Sequence, residues 1–369
     1  MQLKNTAYRL QNRMRVGVGY FGGSITEGAG TTAANLYSWR ALTTALLRDK
    51  YPACEIVEVN AAIGGTGSCL GVYRCDDDLL SHGQIDLAFV EFSVNDAGEP
   101  ETSIRENMEG IFHKIRSANP YTDIVLILTT TRSLYDNVRA GKPPSAYTTH
   151  RALAEHYGFF SIDIGAVLAA RVQHLIDQGK DPLEAWKFYT ADTVHPNEVG
   201  YRIYADEIER TLLPVLTGDG TYTPYELSTP TGGVMDAFLF DAHKLTDSTF
   251  KRCEDSLSGR YPHTVVGDIG DTLSYTFTGT DIGIYMGIYA DSGMIAYSID
   301  GGEWREKDTW DHYALRFNRA CSDMLAKDLP YGEHTLKIRV LEKKNEQSKG
   351  NKVYLGALMT GACRGRKEK

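Results

Sequence analysis

The chain has 369 residues, of which 42% are hydrophobic and 24% charged, and a formal net charge of −9. That length allows two domains and that balance allows a full core. The acidic balance argues against a nucleic-acid partner, which would require a basic face.

No apolar run reaches the roughly eighteen residues of a membrane helix, and the opening MQLKNTAYRLQNRM lacks the apolar stretch of a signal peptide. Cys54, Cys69, Cys75, Cys253, Cys321 and Cys363 show neither CxxC nor zinc spacing. The expectation is a cytoplasmic protein with reduced thiols, no metal, no cofactor and no membrane partner.

Residues 14–30, MRVGVGYFGGSITEGAG, open with alternating apolar residues and then break into Gly22-Gly23-Ser24. This reads as a strand that delivers a serine into a glycine-flanked turn, with little bulk around the hydroxyl. No helix is expected directly after the turn, and Thr26 stands where an α/β-hydrolase elbow needs glycine. Gly17, Gly19 and Gly22 satisfy GxGxxG, but two of them lie inside the apolar run, so a dinucleotide site is not expected.

Further on, 36–50 has helical spacing, 55–60 is a short strand, and 61–67 is a glycine-rich loop. A helix is expected at 69–80. The near-continuous apolar run 85–92 reads as a parallel strand covered on both faces, ending in Ser93-Val94-Asn95-Asp96. Then come a helix at 102–118, a buried strand at 123–130, a loop at 132–145 and a helix at 147–157. A short strand at 159–163, a helix at 166–177, a turn at 192–196 and a last helix at 198–216 complete this half.

Strands alternating with helices predict a parallel α/β sheet at 1–217. Residues 218–235, rich in Gly, Thr and Pro, read as a linker. From 236 to 369 short alternating runs with turn signals predict an all-β sandwich or jelly roll. Asp300-Gly301-Gly302 is its clearest hairpin turn. The basic tail at 364–369 is expected to fray.

Ser24, Gly65 and Asn95 each follow a strand, so the sheet gathers them at one edge, where open α/β sheets hold their sites. Acyl transfer needs a nucleophile, a base held by an acid, and oxyanion donors. Ser24 supplies the hydroxyl. His195 can take its proton, and Asp192, three residues earlier in one turn, can orient the ring. The backbone N–H of Ser24, the Gly65 loop and the Asn95 amide can form the oxyanion hole. Asp96 reads as a loop brace, and Asp76-Asp77-Asp78 as a solvated face. Glu27 reads equally well as an exposed loop acid or a substrate contact.

Gly-Gly-Ser, then Asn-x-x-x-x-Gly, then x-x-Asn-Asp, then Asp-x-x-His-Pro, in this order over about 15–215, resembles the SGNH (GDSL-like) hydrolase superfamily. The resemblance implies a flavodoxin-like three-layer domain and a Ser24–His195–Asp192 ester hydrolase, with Gly65 and Asn95 in the oxyanion hole. Gly23 replaces the family's common Asp, and Ser93 stands where the third block often has Gly.

The two-domain order is most similar to carbohydrate esterase family 17, the mannan O-acetylesterases. It implies an acetylated oligosaccharide substrate and a carbohydrate-binding-module-like β domain. Trp304, Trp310, His312 and Tyr313 are candidates there for stacking on a sugar face. The alternatives are a lysophospholipase or thioesterase on the same residues, and a glycan-binding protein without activity. A further alternative gives the β domain a dimerising role in a homo-oligomer.

Overall fold

The computed structural model describes residues 2–226 and 233–363, and the chain divides into two compact units, Met1–Pro230 and Thr231–Lys369. The tail expected to fray at 364–369, and 227–232 of the expected linker, lie outside the described residues.

The first unit runs α1 (Lys4–Gln11), β1 (Val16–Gly22), α2 (Ser24–Glu27), α3 (Ala34–Tyr37), α4 (Trp39–Lys50), β2 (Ile56–Asn60), α5 (Ser68–Asp78), β3 (Leu87–Glu91) and α6 (Glu101–Ala118). It continues with β4 (Asp123–Leu128), α7 (Arg132–Arg139), α8 (Ser145–Tyr157), β5 (Phe160–Asp163), α9 (Ile164–Asp177), α10 (Pro182–Tyr189) and α11 (Glu198–Leu212). The strands form one parallel sheet in the order β2-β1-β3-β4-β5, the flavodoxin-like order.

Every residue of β1, β3 and β4 is buried, whereas β2 and β5 at the edges are partly exposed. A parallel strand covered on both faces has no solvent side, which is why β3 and β4 read as continuous apolar runs, while buried glycines take the alternate positions at the start of β1. Val18, Tyr20, Phe89, Val125 and Ile127 share one core with Trp39, Trp186 and Tyr201. Each such side chain contributes roughly 1.5–3 kcal/mol on burial.

The glycines of the GxGxxG match serve packing. A Cβ on Gly17 would stand 2.0 Å from the Gln84 carbonyl oxygen, and one on Gly19 2.7 Å from the Leu79 side chain.

Three expectations need correction. One turn of helix, α2, does follow Ser24 directly, and Gly28 ends it in the left-handed region at φ 102°. The expected loop at 132–145 contains α7, capped by Thr131 Oγ1, which accepts from Leu134 N. None of its side chains is fully buried, but Leu134, Tyr135 and Val138 share one face of it, and Tyr135 packs against the core. The start of the expected linker packs on the first unit: Thr223 N donates to Asn5 Oδ1 at 3.0 Å, Tyr225 OH donates to Asp123, and Tyr222 stacks on Tyr121 at 4.2 Å.

The second unit holds β6 (Phe238–Asp241), β7 (Asp247–Ser248), β8 (Lys251–Cys253), β9 (Thr264–Gly267), β10 (Thr272–Gly279) and β11 (Asp281–Ile288). After these come β12 (Met294–Ile299), β13 (Arg305–Asp308), β14 (Arg319–Ala326), β15 (Gly332–Val340) and β16 (Val353–Gly361). Two antiparallel sheets result, β13-β12-β15-β10-β7 and β14-β11-β16-β9-β8, with β6 also on β16. Ile284, Ile295, Leu336, Ile338, Leu355 and Leu358 belong to the core these sheets share. Asp300 and Gly301 adopt φ 54° and 71°, the left-handed pair that closes the β12–β13 hairpin.

Gly17→Ala is expected to destabilise the first unit by about 1–3 kcal/mol, because backbone cannot yield to the new methyl as a side chain would. Urea unfolding followed by tryptophan fluorescence would show this as a lower midpoint; an unchanged midpoint would contradict it.

Candidate active site

The site begins where β1 ends. Ser24 is the first residue of α2, at the point where the sheet order reverses between β1 and β3, the usual ligand crevice of such sheets. Two glycines before it allow close approach. A Cβ on Gly22 would stand 2.5 Å from Thr26 Oγ1, and one on Gly23 would stand 1.9 Å from Asn95 Oδ1. A side chain at 23 would therefore have to displace the Asn95 amide, which occupies that space.

The second part is the turn 190–196, closed by a bridge between Thr190 and Pro196. Asp192 Oδ1 accepts from the backbone N–H of Val194 at 3.0 Å and of His195 at 2.8 Å. Its Oδ2 lies 2.7 Å from His195 Nδ1, and His195 Nε2 lies 2.9 Å from Ser24 Oγ. A carboxylate only accepts, so Nδ1 carries the proton, and Nε2 is left to accept from the serine hydroxyl. Burial opposes the Asp192 charge, but the hydrogen bonds from His195 and Val194 outweigh it and hold the carboxyl below its ordinary value. Thr193 adopts φ 70°, with its N–H on Thr190 Oγ1 and its carbonyl accepting from Arg132 N.

Further contacts tie the serine segment to the histidine segment. Tyr201 OH donates to the carbonyls of Ile25 (3.0 Å) and Ala29 (2.8 Å). Glu198 Oε1 accepts from the N–H and hydroxyl of Thr32. Gly30, at φ 96°, backs onto Pro196, whose carbonyl oxygen would be 2.4 Å from a Cβ.

The loop between β2 and α5 supplies the third part. Gly64 N–H donates to Glu27 Oε2 at 2.9 Å. Gly65 is exposed at φ 75°, with no atom within 4 Å of where a Cβ would stand. The structure thus joins Ser24, His195 and Asp192 in one hydrogen-bonded chain and sets Asn95 against the turn before Ser24. It also links the Gly64-Gly65 loop to the end of α2.

Beneath the site lies a polar layer that sequence reasoning missed. Glu91, buried at the end of β3, accepts from Thr26 Oγ1 at 2.8 Å and Thr129 Oγ1 at 2.7 Å. Desolvation raises its pKa, and the two threonine hydroxyls oppose that rise. Ser93 Oγ accepts from Thr129 N at 2.9 Å, which accounts for serine where the resembled family often has glycine. Asp96 is a brace as expected: it accepts from Ser68 N at 2.7 Å and pairs with buried His150 at 2.8 Å. Arg74 is also buried, on α5. A lone acid in VEF and a lone arginine in LGVYRC, each inside an apolar run, were the available signals.

The acidic run splits its roles: Asp76 pairs with Lys114, and Asp78 with Arg74 at 3.0 Å. In the second unit Trp304 is 44% exposed and carries the Arg339 guanidinium 4.9 Å from its ring. His312 and Tyr313 lie on an exposed 3₁₀ turn with ring centroids 4.0 Å apart. Trp310 does not fit the sugar-stacking expectation. It is 8% exposed and packs with Ile288 and Ala314, so neither face of its ring is open.

A serine hydroxyl, an imidazole and a carboxylate in series at the switch point of a 2-1-3-4-5 parallel sheet define the serine-hydrolase type of arrangement. Residues 20–203 match the model of the GDSL-like Lipase/Acylhydrolase family, and the first unit belongs to that family.

No curated protein sequence matches the chain. Among solved structures, a two-domain esterase active on acetylated mannans, co-crystallised with mannopentaose, is similar at 20% identity and a TM-score of 0.78. The match covers 96% of this chain and 92% of that one. The same esterase crystallised without that ligand matches at the same identity and TM-score, over 96% and 93%. A GDSL-like lipase from Parabacteroides merdae is 18% identical, with a TM-score of 0.45, over 54% of this chain and 96% of that one.

Gly23→Ala is expected to lower ester turnover by about 10²-fold, since a displacement near 1 Å is enough for that loss. Initial rates on a p-nitrophenyl ester check it, and wild-type turnover would disprove the steric reading. The folded pKa of Glu91 lies above the ordinary 4.5, so stability is lost as pH rises from 4.5 through the folded value, and the loss persists above it. Glu91→Gln removes that cost. Its melting temperature relative to wild type should therefore be more favourable at pH 8 than at pH 4; an equal difference at both would show that Glu91 is not raised.

Proposed function

We propose that this chain is a serine esterase that removes O-acetyl groups from oligosaccharides, with mannan-derived oligosaccharides as the substrate class. The observation that carries the reading is the unbroken hydrogen-bonded series Ser24–His195–Asp192. It is supported by the likeness of both units together to a two-domain esterase active on acetylated mannans.

The chemistry follows from the geometry. Ser24 Oγ attacks the acetyl carbonyl carbon while its proton passes to His195 Nε2. Asp192, kept ionised by its local hydrogen bonds, steadies the imidazolium. The oxyanion meets the N–H of Ser24, the N–H of Gly65 and the amide of Asn95; one such donor is worth on the order of 3 kcal/mol. The tetrahedral intermediate collapses, the C–O bond to the sugar breaks, and the imidazolium returns its proton to the sugar oxygen. Water, deprotonated by His195, then attacks the acetyl-enzyme, and acetate leaves as Ser24 regains its proton.

The sugar side of the reading draws on the second unit. Trp304, His312 and Tyr313 present ring surface to solvent, as stacking on a pyranose requires. The lipase or thioesterase alternative has one observation of its own. An apolar cavity of about 60 Å³ lies beyond the ends of β4 and β5, lined by Leu134, Tyr135, Val138, Pro144 and Tyr147.

Ser24→Ala is expected to abolish acetate release from acetylated mannooligosaccharides, followed by mass spectrometry, while oligosaccharide binding persists. Unchanged release in that variant would refute the assignment. A series of p-nitrophenyl esters should favour acetate over decanoate; the reverse order would favour the lipase reading.

A further inference from the structure

Two charged side chains bridge the serine turn and the glycine loop, and neither belongs to the reacting series. Glu27 ends α2, one helical turn after Ser24, and its Oε2 accepts the Gly64 N–H at 2.9 Å. Arg74 reaches the same two segments from below. Its Nη2 donates to the carbonyl of Gly22 at 3.0 Å and to Thr66 Oγ1 at 3.3 Å. Its Nη1 donates to the carbonyl of Ala61 at 2.6 Å and to Asp78 at 3.0 Å. The guanidinium lies 4.4 Å from the Phe21 ring centroid, so its plane is set from one side as well. Thr66 Oγ1 in turn donates to the Ile63 carbonyl at 2.8 Å, which closes the loop on itself.

The bonds are distributed unevenly over the loop. Its start (Ala61), its Gly64 N–H and its end (Thr66) are all held, and each holder also belongs to or binds the serine segment. Gly65 alone stands at the apex, exposed, in the left-handed region and facing open space. A loop with adjacent glycines has many conformations of similar energy, and several could aim another N–H at the substrate. Engaging the Gly64 N–H removes that competitor.

We propose that Glu27 and Arg74 are positioning residues that lock the 61–67 loop to the Ser24 turn, and that Glu27, by taking the Gly64 N–H, makes Gly65 the loop's oxyanion donor. The proposal rests on the esterase reading above. It gives Glu27 a role other than the two open to it in the sequence, an exposed loop acid or a substrate contact: Glu27 acts through the loop. Oxyanion donors act on the transition state far more than on the bound ester, so loss of the lock should fall on kcat and leave KM in place.

The experiment compares Glu27→Ala, Glu27→Gln and Arg74→Lys with wild type, and uses Ser24→Ala as the control. The readouts are kcat and KM on p-nitrophenyl acetate, the second-order rate of Ser24 labelling by a fluorophosphonate, and melting temperature. Glu27→Ala is expected to lower kcat and labelling together by about 10–100-fold, with KM within about twofold. Glu27→Gln, whose amide oxygen still accepts the Gly64 N–H, should recover to within about threefold of wild type. Arg74→Lys, one ammonium in place of a two-pronged fork, should lose rate in the same way.

Since Arg74 is buried and its variant is exposed to misfolding, the two Glu27 variants decide the matter. A rise in KM alone for Glu27→Ala would make Glu27 a substrate contact and overturn the proposal, as would unchanged kcat and labelling. Full turnover by Ser24→Ala would instead sink the esterase reading itself.

Discussion

A hydrogen bond of 2.9 Å between Ser24 and His195 joins residues 171 positions apart. Closing a flexible loop of that size costs roughly 4–5 kcal/mol before any constant is added, whereas one hydrogen bond returns only about 0.5–1.5 kcal/mol net. The contact therefore cannot assemble the site; the sheet and its helices must. β1 delivers Ser24, the turn before α11 delivers His195, and the buried rings of Tyr20, Trp39 and Tyr201 fill the core these elements share. Tyr201 makes the link direct, because its ring is in that core while its hydroxyl holds the carbonyls of Ile25 and Ala29.

Two carboxylates show how differently the same fold can treat an acid. Asp192 is exposed, and its charge is secured by short-range hydrogen bonds within one turn, not by a low-dielectric setting. Glu91 is buried, and desolvation works against its charge despite two hydroxyl partners. The first can serve as a fixed anion beside an imidazole. The second binds the serine turn, through Thr26, to the neighbouring strand, through Thr129. Local bonding governs the acid at the surface, and tertiary packing governs the one below.

Backbone approach is the other recurring constraint. Gly22, Gly23 and Gly30 stand where Thr26, Asn95 and Pro196 come too close for a Cβ. Around Ser24 the close approaches are thus made by backbone and short side chains. The second unit follows a different rule. There β10 and β15 alternate, with one face in the shared core, β11 is buried along its length, and Trp304 and Tyr313, in the segments on either side of β13, stay exposed.

Local pattern alone carried much of this. Alternating apolar residues marked β1, and near-continuous apolar runs marked β3 and β4, both of whose faces are covered. Asp192 and His195 could be paired in advance because they share one turn, and Asp300-Gly301 could be placed because only a left-handed pair closes that hairpin. The short helix α2, the helix α7 and the packing of Thr223 and Tyr225 on the first unit were decided by contacts that no window of sequence contains. The same holds for Glu91, Arg74 and the tie from Glu27 to Gly64. Each of these is a charge whose meaning depends on partners dozens of residues away, or across a turn whose path the sequence leaves open. Trp310 shows the converse, since an aromatic in a polar stretch reads as exposed until the fold wraps Ile288 and Ala314 around it. Sequence determined which residues could take part in the chemistry, through spacing and residue type; only the tertiary structure decided which of them meet, because burial and long-range contact are properties of the packed chain.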